Sequence, residues 1–319
     1  MTSLPYCGRF APSPTGPLHF GSLVAALGSC LDARAAGGQW LVRIEDIDLP
    51  RCPRKNAEHI LRTLATFGFE WDTEPLWQSR RVALYREAFE KLQVAGGIFP
   101  CVCSRRELAD SAVNLVVNPT LAPDGPLVYP GTCRNGMPDG RTPRSWRLRV
   151  GEARIGFDDR LHGRIEQDLA RDVGDFVLLR ADGYFAYQLA VVVDDAEQGI
   201  TDVVRGADLL DSTPRQILLQ RRLGLPQPGY AHLPVVMTST GDKLSKQTGA
   251  APLDCADPVP ILVAALAFLE QSPPPELARA SLGEAWAWAR QNWRLDRINV
   301  GVRTRPVQSS DAPGRRQAS

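Results

Sequence analysis

The chain has 319 residues, 44% of them hydrophobic, with 37 Lys and Arg against 36 Asp and Glu for a net charge of +1. That length and balance predict one or two well-cored domains and exclude a global basic footprint, so any nucleic-acid surface must be a local patch. Seven scattered cysteines exclude a regular disulfide framework, and the longest apolar run, around Leu189 to Val193, is too short to span a bilayer. No charged-then-apolar leader pattern opens the chain, so a cytoplasmic protein is expected; a monomer is the expected state.

A short apolar strand is predicted at residues 9–11. The bend that follows is stiffened by Pro12, Pro14 and Pro17, which cannot continue a sheet. Residues 22–31 are apolar at helical spacing and are closed by Gly37-Gly38. His19 and Gly21 then sit at a helix mouth, where free amides and the helix dipole favour anions, and Gly21 allows a nucleotide close to the backbone. A second strand at 40–44 ends in Glu45-Asp46. Helices are predicted at 54–67, closing at Gly68, and at 79–95, closing at Gly96-Gly97. This is one parallel α/β half, with ligands expected at the carboxyl ends of its strands.

Residues 98–174 are rich in proline and glycine, with short strands such as 145–150, and read as an insertion. It opens with Cys101-Val102-Cys103, and Tyr129 to Cys133 follows; two spare core thiols are the plain alternative to a metal site. The intervening stretch, 114–128 especially, is expected to be a flexible loop. Asp182-Gly183 between 176–180 and 184–188 signals a hairpin. Alternation resumes with a strand at 202–205, a helix opened by Ser212-Thr213-Pro214, and a strand at 234–237.

A lysine loop comes next. Only Lys55, Lys91, Lys243 and Lys246 are lysines, so half of them fall in one four-residue window of an arginine-biased chain. A mobile ammonium reaches phosphate as a point charge, which an arginine fork does not imitate. Beyond Gln247, 72 residues remain. They hold a predicted helix at 261–269 and another beginning near Pro275. The second carries Trp286, Trp288 and Trp293, with Trp286 and Trp293 on one face that packs onto the main body. The expected divisions are 1–97, 98–174, 175–250, a helical region 251–302, and a disordered tail 303–319.

Three ordered landmarks, RFAPSPTGPLHFGS at 9–22, VRIEDID at 42–48 and KLSKQ at 243–247, resemble the class I glutamyl-tRNA synthetase superfamily. The first corresponds to its "HIGH" signature and the last to its "KMSKS" loop. Ser22 replaces the second histidine of HIGH, and Gln247 replaces the final serine of KMSKS. Both variants resemble the short branch whose members attach glutamate to queuosine of tRNA(Asp). The resemblance implies an α/β fold: a Rossmann-type parallel sheet with a zinc-bearing insertion, a short helical C-terminal region and no anticodon-binding domain.

It also implies an ATP- and Mg2+-dependent ligase. His19, Gly21, Ser22, Lys243 and Lys246 would act on ATP, with His19, Lys246 and Lys243 catalytic. Arg9, Ala11, Ser13, Glu45, Tyr187 and Arg205 would hold glutamate. Glu45 suits the ammonium and the two arginines suit carboxylates as forks, although an Arg9–Glu45 ion pair of purely structural use fits the sequence equally. Asp194 and Asp195 read as structural. The branch binds structural zinc (Zn2+) through residues matching Cys101, Cys103, Tyr129 and Cys133, with His162 as the conceivable substitute for the phenol. The implied partners are ATP, L-glutamate and tRNA(Asp) containing queuosine. The motifs by themselves do not name the acceptor. A truncated glutamyl-tRNA synthetase charging a 3′ end, and a non-catalytic tRNA-binding paralogue, remain as alternatives.

Overall fold

The computed structural model describes residues 5–104, 106–107, 128–237 and 251–300, and the backbone of 304–306. Residues 114–127 of the expected loop, the segment with Lys243 and Lys246, and the tail beyond Pro306 lie outside the described residues.

Apolar β1 (Cys7–Phe10) is buried along its whole length and pairs parallel with β2 (Gln39–Ile44), Cys7 opposite Gln39 and Phe10 opposite Val42. The crossover is α1 (Phe20–Ala35), whose Leu23, Leu27 and Leu31 are fully buried. β2 pairs parallel with β3 (Leu76–Trp77) through α2 (Arg54–Thr66), and α3 (Val82–Val94) follows one 3-10 turn. These elements match the sequence expectations to within a few residues.

β4 (Ile98–Cys101) and β5 (Ser145–Leu148) pair antiparallel, Ile98 opposite Leu148. β6 (Arg154–Asp159) and β7 (Gly163–Asp168) form an antiparallel hairpin, followed by the single turn α4 (Leu169–Asp172). β8 (Val177–Leu179) returns to pair with β5. At Asp182-Gly183 the expected turn forms, with Gly183 at φ +84° and Arg180 N–H donating to the Tyr184 carbonyl. A second strand does not follow. After one bridge between Leu179 and Phe185 the chain enters α5 (Tyr187–Glu197). Its Leu189 to Val193 run is buried throughout, so no polar face marks the helical period, and a helix begins inside the 184–188 arm expected of the hairpin.

β9 (Asp202–Gly206), α6 (Thr213–Leu223) and β10 (Gly229–Leu233) complete the second half, β9 and β10 parallel with Arg205 opposite His232. β10 pairs parallel with β6 where Tyr230 meets Asp159, so residues 98–174 supply two of the three strands of a small separate sheet, completed by β8, and one edge of the main one. The two halves join where Thr201 N–H donates to the Cys7 carbonyl at 2.9 Å and Thr201 Oγ1 accepts from Cys7 N–H at 2.8 Å.

The C-terminal region packs against the first half. It comprises α7 (Pro258–Phe268) and α8 (Leu282–Asn292), the latter opened by a Ser281–Glu284 capping box. Trp286 and Trp293 are buried in one core with Trp40 and Phe69, as their spacing predicts. The Trp286 indole donates to the Phe67 carbonyl at 2.8 Å, over the end of α2. Gly68 there has φ +78°, and a Cβ would fall 2.7 Å from Trp286 Nε1, so only glycine fits. Within the stretch expected to be a disordered tail, Thr304–Pro306 (β12) pairs with β11 (Val235–Met237), whose edge would otherwise lack a parallel partner. No described helix is long and apolar enough to cross a membrane.

Candidate active site

β1 leads to β2 on one side while β9 leads to β10 on the other, so strand order reverses between them. The crevice at their carboxyl ends is where such sheets bind ligands. It holds a cleft of about 340 Å³. Arg9, Ala11, Ser13, His19, Gly21, Ser22, Tyr187 and Arg205, all selected from the sequence, line it together with Asp208 and Val236.

Backbone contacts fix the proline turn over this cleft. The Pro12 carbonyl accepts from Glu45 N–H at 3.0 Å, tying the turn to the end of β2, and Asn56 Nδ2 donates to the Pro14 carbonyl at 3.1 Å. His19 is the extended N-cap of α1, with Gly21 and Ser22 in the first turn, as their position at a helix mouth requires. Leading amides of a helix have no acceptor within it and attract anions. Val235 and Val236 line the cleft just before the segment carrying Lys243 and Lys246. Just after it, Leu253 N–H donates to the Leu18 carbonyl at 3.0 Å, beside His19. Both described flanks of the lysine segment therefore sit at the cleft, although the lysines themselves lie outside the described residues.

The charge pairing differs from the Arg9–Glu45 alternative. Arg9 donates through Nε and Nη2 to Asp195 at 3.1 and 3.3 Å, and Arg43 Nη2 donates to the same carboxylate at 2.7 Å. Burial would raise the Asp195 carboxyl, but Arg9 and Arg43 hold it down at about 2. Asp194 accepts from Gln78, Arg81 and Tyr85. Both aspartates are thus structural, as expected. Glu45 lies behind the lining of the cleft, 3.6 Å from Arg43, and its Oε1 has no hydrogen-bond partner among the described residues. Burial pushes its carboxyl up to about 7, against the pull of Arg43 and Arg9. Tyr187, the first residue of α5, stands between the two sides of the site. Its phenol is raised by burial and by Glu45, with Arg205 opposing.

Arg205 has no carboxylate partner among the described residues. Its Nε donates to His232 Nε2 at 3.1 Å, and its Nη2 donates to Thr213 Oγ1 and Gln216 Oε1, both at 2.8 Å. Nη1 is buried with no partner among the described residues. A buried donor, Arg205 Nη1, and a buried acceptor, Glu45 Oε1, thus make no hydrogen bond among the described residues, although Arg43 faces that oxygen at 3.6 Å. Unpartnered buried polar groups are costly and call for a ligand.

The cysteine cluster is separate from the cleft. The Sγ atoms of Cys101, Cys103 and Cys133 lie within 4.8 Å of one another, with Cys103 and Cys133 at 3.7 Å. Tyr129 Oη completes the group, 3.5 Å from Cys101 and 3.9 Å from Cys103, and it accepts the Cys133 N–H at 2.8 Å. Thiolates around a tetrahedral zinc, with bonds of about 2.3 Å, sit roughly 3.8 Å apart, so the three thiols fit such an ion. Against burial, Tyr129 and Arg147 bring the Cys101 thiol down to about 7, while burial and the neighbouring Cys101 push the Cys103 thiol up to about 11. His162 does not join them. Its Nε2 meets the His232 carbonyl at 2.9 Å on the main sheet, which removes it as the substitute ligand.

Sequence reasoning missed Arg43, Thr213, Gln216, His232 and Asp159 around these charges, and Arg147 at the thiols. Asp159, His232 and Arg147 have no local signature, because each acts through a partner distant in sequence, whereas Arg43 stands inside the VRIEDID landmark and Thr213 and Gln216 follow Arg205 by 8 and 11 residues. Two aspartates at the end of an apolar run were the one usable signal of buried pairing, and that run hid the helix.

Residues 7–255 match the family described as tRNA synthetases class I (E and Q), catalytic domain. A Glutamyl-Q tRNA(Asp) synthetase of Aromatoleum aromaticum is 62% identical over 91% of this chain and 90% of its own length. Proteins of the same name from Dechloromonas aromatica and Chromobacterium violaceum are 59% and 55% identical, over 92% and 96% of this chain and 96% and 100% of their own. The chain belongs to the Glutamyl-Q tRNA(Asp) synthetase family. Among solved structures, a glutamate tRNA ligase from Elizabethkingia meningosepticum in complex with its amino acid superposes with a TM-score of 0.77 at 25% identity, covering 97% of this chain and 68% of that one. The family and this likeness agree with a class I synthetase α/β fold built on a parallel sheet.

Proposed function

We propose that this chain activates L-glutamate with ATP and passes it to the queuosine of tRNA(Asp), the reaction named by its relatives. The observation that carries the reading is Arg205 on the cleft lining, whose buried Nη1 has no partner among the described residues, with the Glu45 carboxylate behind that lining, whose Oε1 accepts no hydrogen bond from them. An amino acid with an acidic side chain offers a carboxylate to the first and an ammonium to the second. Arg9, Ala11, Ser13 and Tyr187 complete the glutamate pocket. Gln in its place would leave the buried guanidinium facing an amide, a mismatch that sites built on hydrogen bonding reject strongly.

In the first step a glutamate α-carboxylate oxygen attacks the α-phosphorus of ATP. A new P–O bond forms, the bond to the β-phosphate bridge breaks, and pyrophosphate leaves. His19, the backbone at Gly21 and Ser22, Lys246 and Lys243 stabilise charge on the phosphates. Magnesium bound with the nucleotide supplies further neutralisation of the phosphates. In the second step a hydroxyl of the queuosine ring diol attacks the activated carbonyl, and AMP leaves. Cys101, Cys103 and Cys133, with Tyr129 beside them, would hold one zinc in a structural role away from this chemistry.

The reading carries a scheme of two catalytic segments, 1–97 and 175–250, around the insertion 98–174, then the helical region 251–302 and tail 303–319, in a cytoplasmic monomer. Limited proteolysis and sedimentation test that scheme. The function is tested by glutamate transfer: tRNA(Asp) containing queuosine should be labelled, and the same tRNA with guanosine at that position should not. Glutamate on the ring diol should protect it from periodate while the 3′-terminal ribose stays oxidisable. Efficient charging of tRNA(Glu) at its 3′ end would instead establish an ordinary synthetase activity.

A further inference from the structure

Behind Arg205, away from the cleft, stands a chain of buried groups that the adenylation chemistry does not use. His232 on β10 is fully buried, and its Nδ1 lies 2.6 Å from Asp159 Oδ2 at the end of β6. Asp159 is itself held by the Leu161 and His162 backbone N–H groups, at 2.9 and 3.0 Å on Oδ1. The other imidazole nitrogen, Nε2, lies 3.1 Å from both Arg205 Nε and the Thr213 hydroxyl, which can donate to it.

These partners fix the tautomer. A carboxylate can only accept, so the proton sits on Nδ1; a guanidinium can only donate, so Nε2 must be bare. An imidazolium would set an N–H against the Arg205 N–H. Burial keeps the ring neutral, with a pKa lowered to about 4 despite the Asp159 hydrogen bond and with help from the Arg205 charge.

The donors of Arg205 can then be counted. A guanidinium has five N–H groups. The Nε–H goes to His232 and the two on Nη2 go to Thr213 and Gln216, which leaves the two on Nη1. All three side-chain acceptors are neutral, so the anion that balances the guanidinium must come from elsewhere. Asp159 is one imidazole away: it polarises the ring but does not occupy the fork. Gln216 is oriented in turn, its Nε2 donating to Gln188 Oε1 at 3.0 Å, which turns its oxygen toward Arg205.

We propose that Asp159 and His232 are positioning residues for substrate choice: Asp159 locks His232 as the Nδ1–H tautomer, and His232 holds the Arg205 fork so that only its Nη1 edge, which suits a carboxylate and not a carboxamide, meets the amino-acid side chain. The inference rests on the glutamate reading of the cleft and names what enforces it. A purely structural role, pinning β6 to β10, would change stability without changing which amino acid is preferred.

Asp159→Asn separates the two. Its amide oxygen can still accept from Leu161 and His162, while its NH2 donates to Nδ1 and drives the imidazole proton to Nε2, against Arg205. In ATP–pyrophosphate exchange the KM for L-glutamate should rise roughly 10- to 100-fold, the range seen when the group behind a functional imidazole is removed. The preference for glutamate over glutamine should fall by a similar factor, with the KM for ATP unmoved and the loss in KM rather than kcat. His232→Gln keeps an acceptor near Nε2 without needing Asp159, and should be milder than His232→Ala. Nitrogen-15 NMR of the wild-type protein should find His232 neutral with its proton on Nδ1. A folded Asp159→Asn enzyme with unchanged glutamate KM and preference would overturn the proposal. So would an Nε2–H tautomer or an imidazolium in the wild type, a readout that stands even if Asp159→Asn does not fold. Absence of glutamate-dependent exchange in the wild type would instead overturn the functional reading and leave the tautomer measurable.

Discussion

Arg9 at the end of β1 and Arg205 near the end of β9 face one cleft from opposite halves of the sheet, and both are almost wholly buried, at 3% and 5% exposure. The protein treats them in opposite ways. Arg9 is gripped by the Asp195 carboxylate, which it shares with Arg43. Arg205 is surrounded by a histidine, a threonine and a glutamine, with no carboxylate partner among the described residues. A buried charge is tolerated when it is paired, so a guanidinium supplied only with neutral acceptors is stable mainly when a ligand brings the anion. Where the protein supplies the anion, the arginine reaches the cleft already balanced; where it withholds it, the balancing charge is left for a ligand to bring.

The largest expected effect follows from removing the unpaired member. Arg205→Ala should lower kcat/KM for glutamate by about 10³-fold in pyrophosphate exchange, as truncating one partner of a desolvated charge pair does. A loss below tenfold would break the comparison. The paired side should answer in stability instead. Asp195→Asn leaves Arg9 and Arg43 without their shared carboxylate and should destabilise the protein by roughly 3 kcal/mol in urea titration.

Acid titration sharpens the contrast further, because two buried groups pull in opposite directions. His232 has a folded pKa of about 4, below its unfolded 6.5, so its contribution is complete above pH 6.5 and is lost as pH falls toward 4. Glu45 has a folded value of about 7, above its unfolded 4.5, so its contribution is complete below pH 4.5 and is lost as pH rises through 7. Each amounts to about 3 kcal/mol, and they nearly cancel between pH 4.5 and 6.5. The wild-type stability curve should be flat there. His232→Gln should expose the Glu45 slope, with stability rising as pH falls from 7 to 4.5. Glu45→Gln should expose the opposite one. Parallel curves for the three proteins would contradict the assignment.

The smallest effect is expected at the thiol cluster, which shares none of these charges. Tyr129→Phe removes one donor and leaves three, so purified protein should still carry zinc, held about tenfold more weakly in chelator competition. Cys133→Ser should shed the metal and lower the melting temperature.

Much of the site was legible in the chain. Proline spacing fixed the turn, and the apolar period fixed α1 and so placed His19 and Gly21 at its start. Cys101 and Cys103 are close because they are neighbours on one strand end. Such features depend on backbone chemistry within a few residues, which a sequence states directly. The partners of the two arginines were not legible. Asp195 lies 186 residues from Arg9, on a helix whose all-round burial erased its period. Asp159, His232 and Arg205 meet because β6, β10 and β9 are adjacent strands, an order set by packing the whole sheet. Residue type and local pattern determined that two arginines would stand at a cleft; strand order and burial decided which would be neutralised by the protein, because charge compensation is a property of three-dimensional neighbours and not of sequence neighbours.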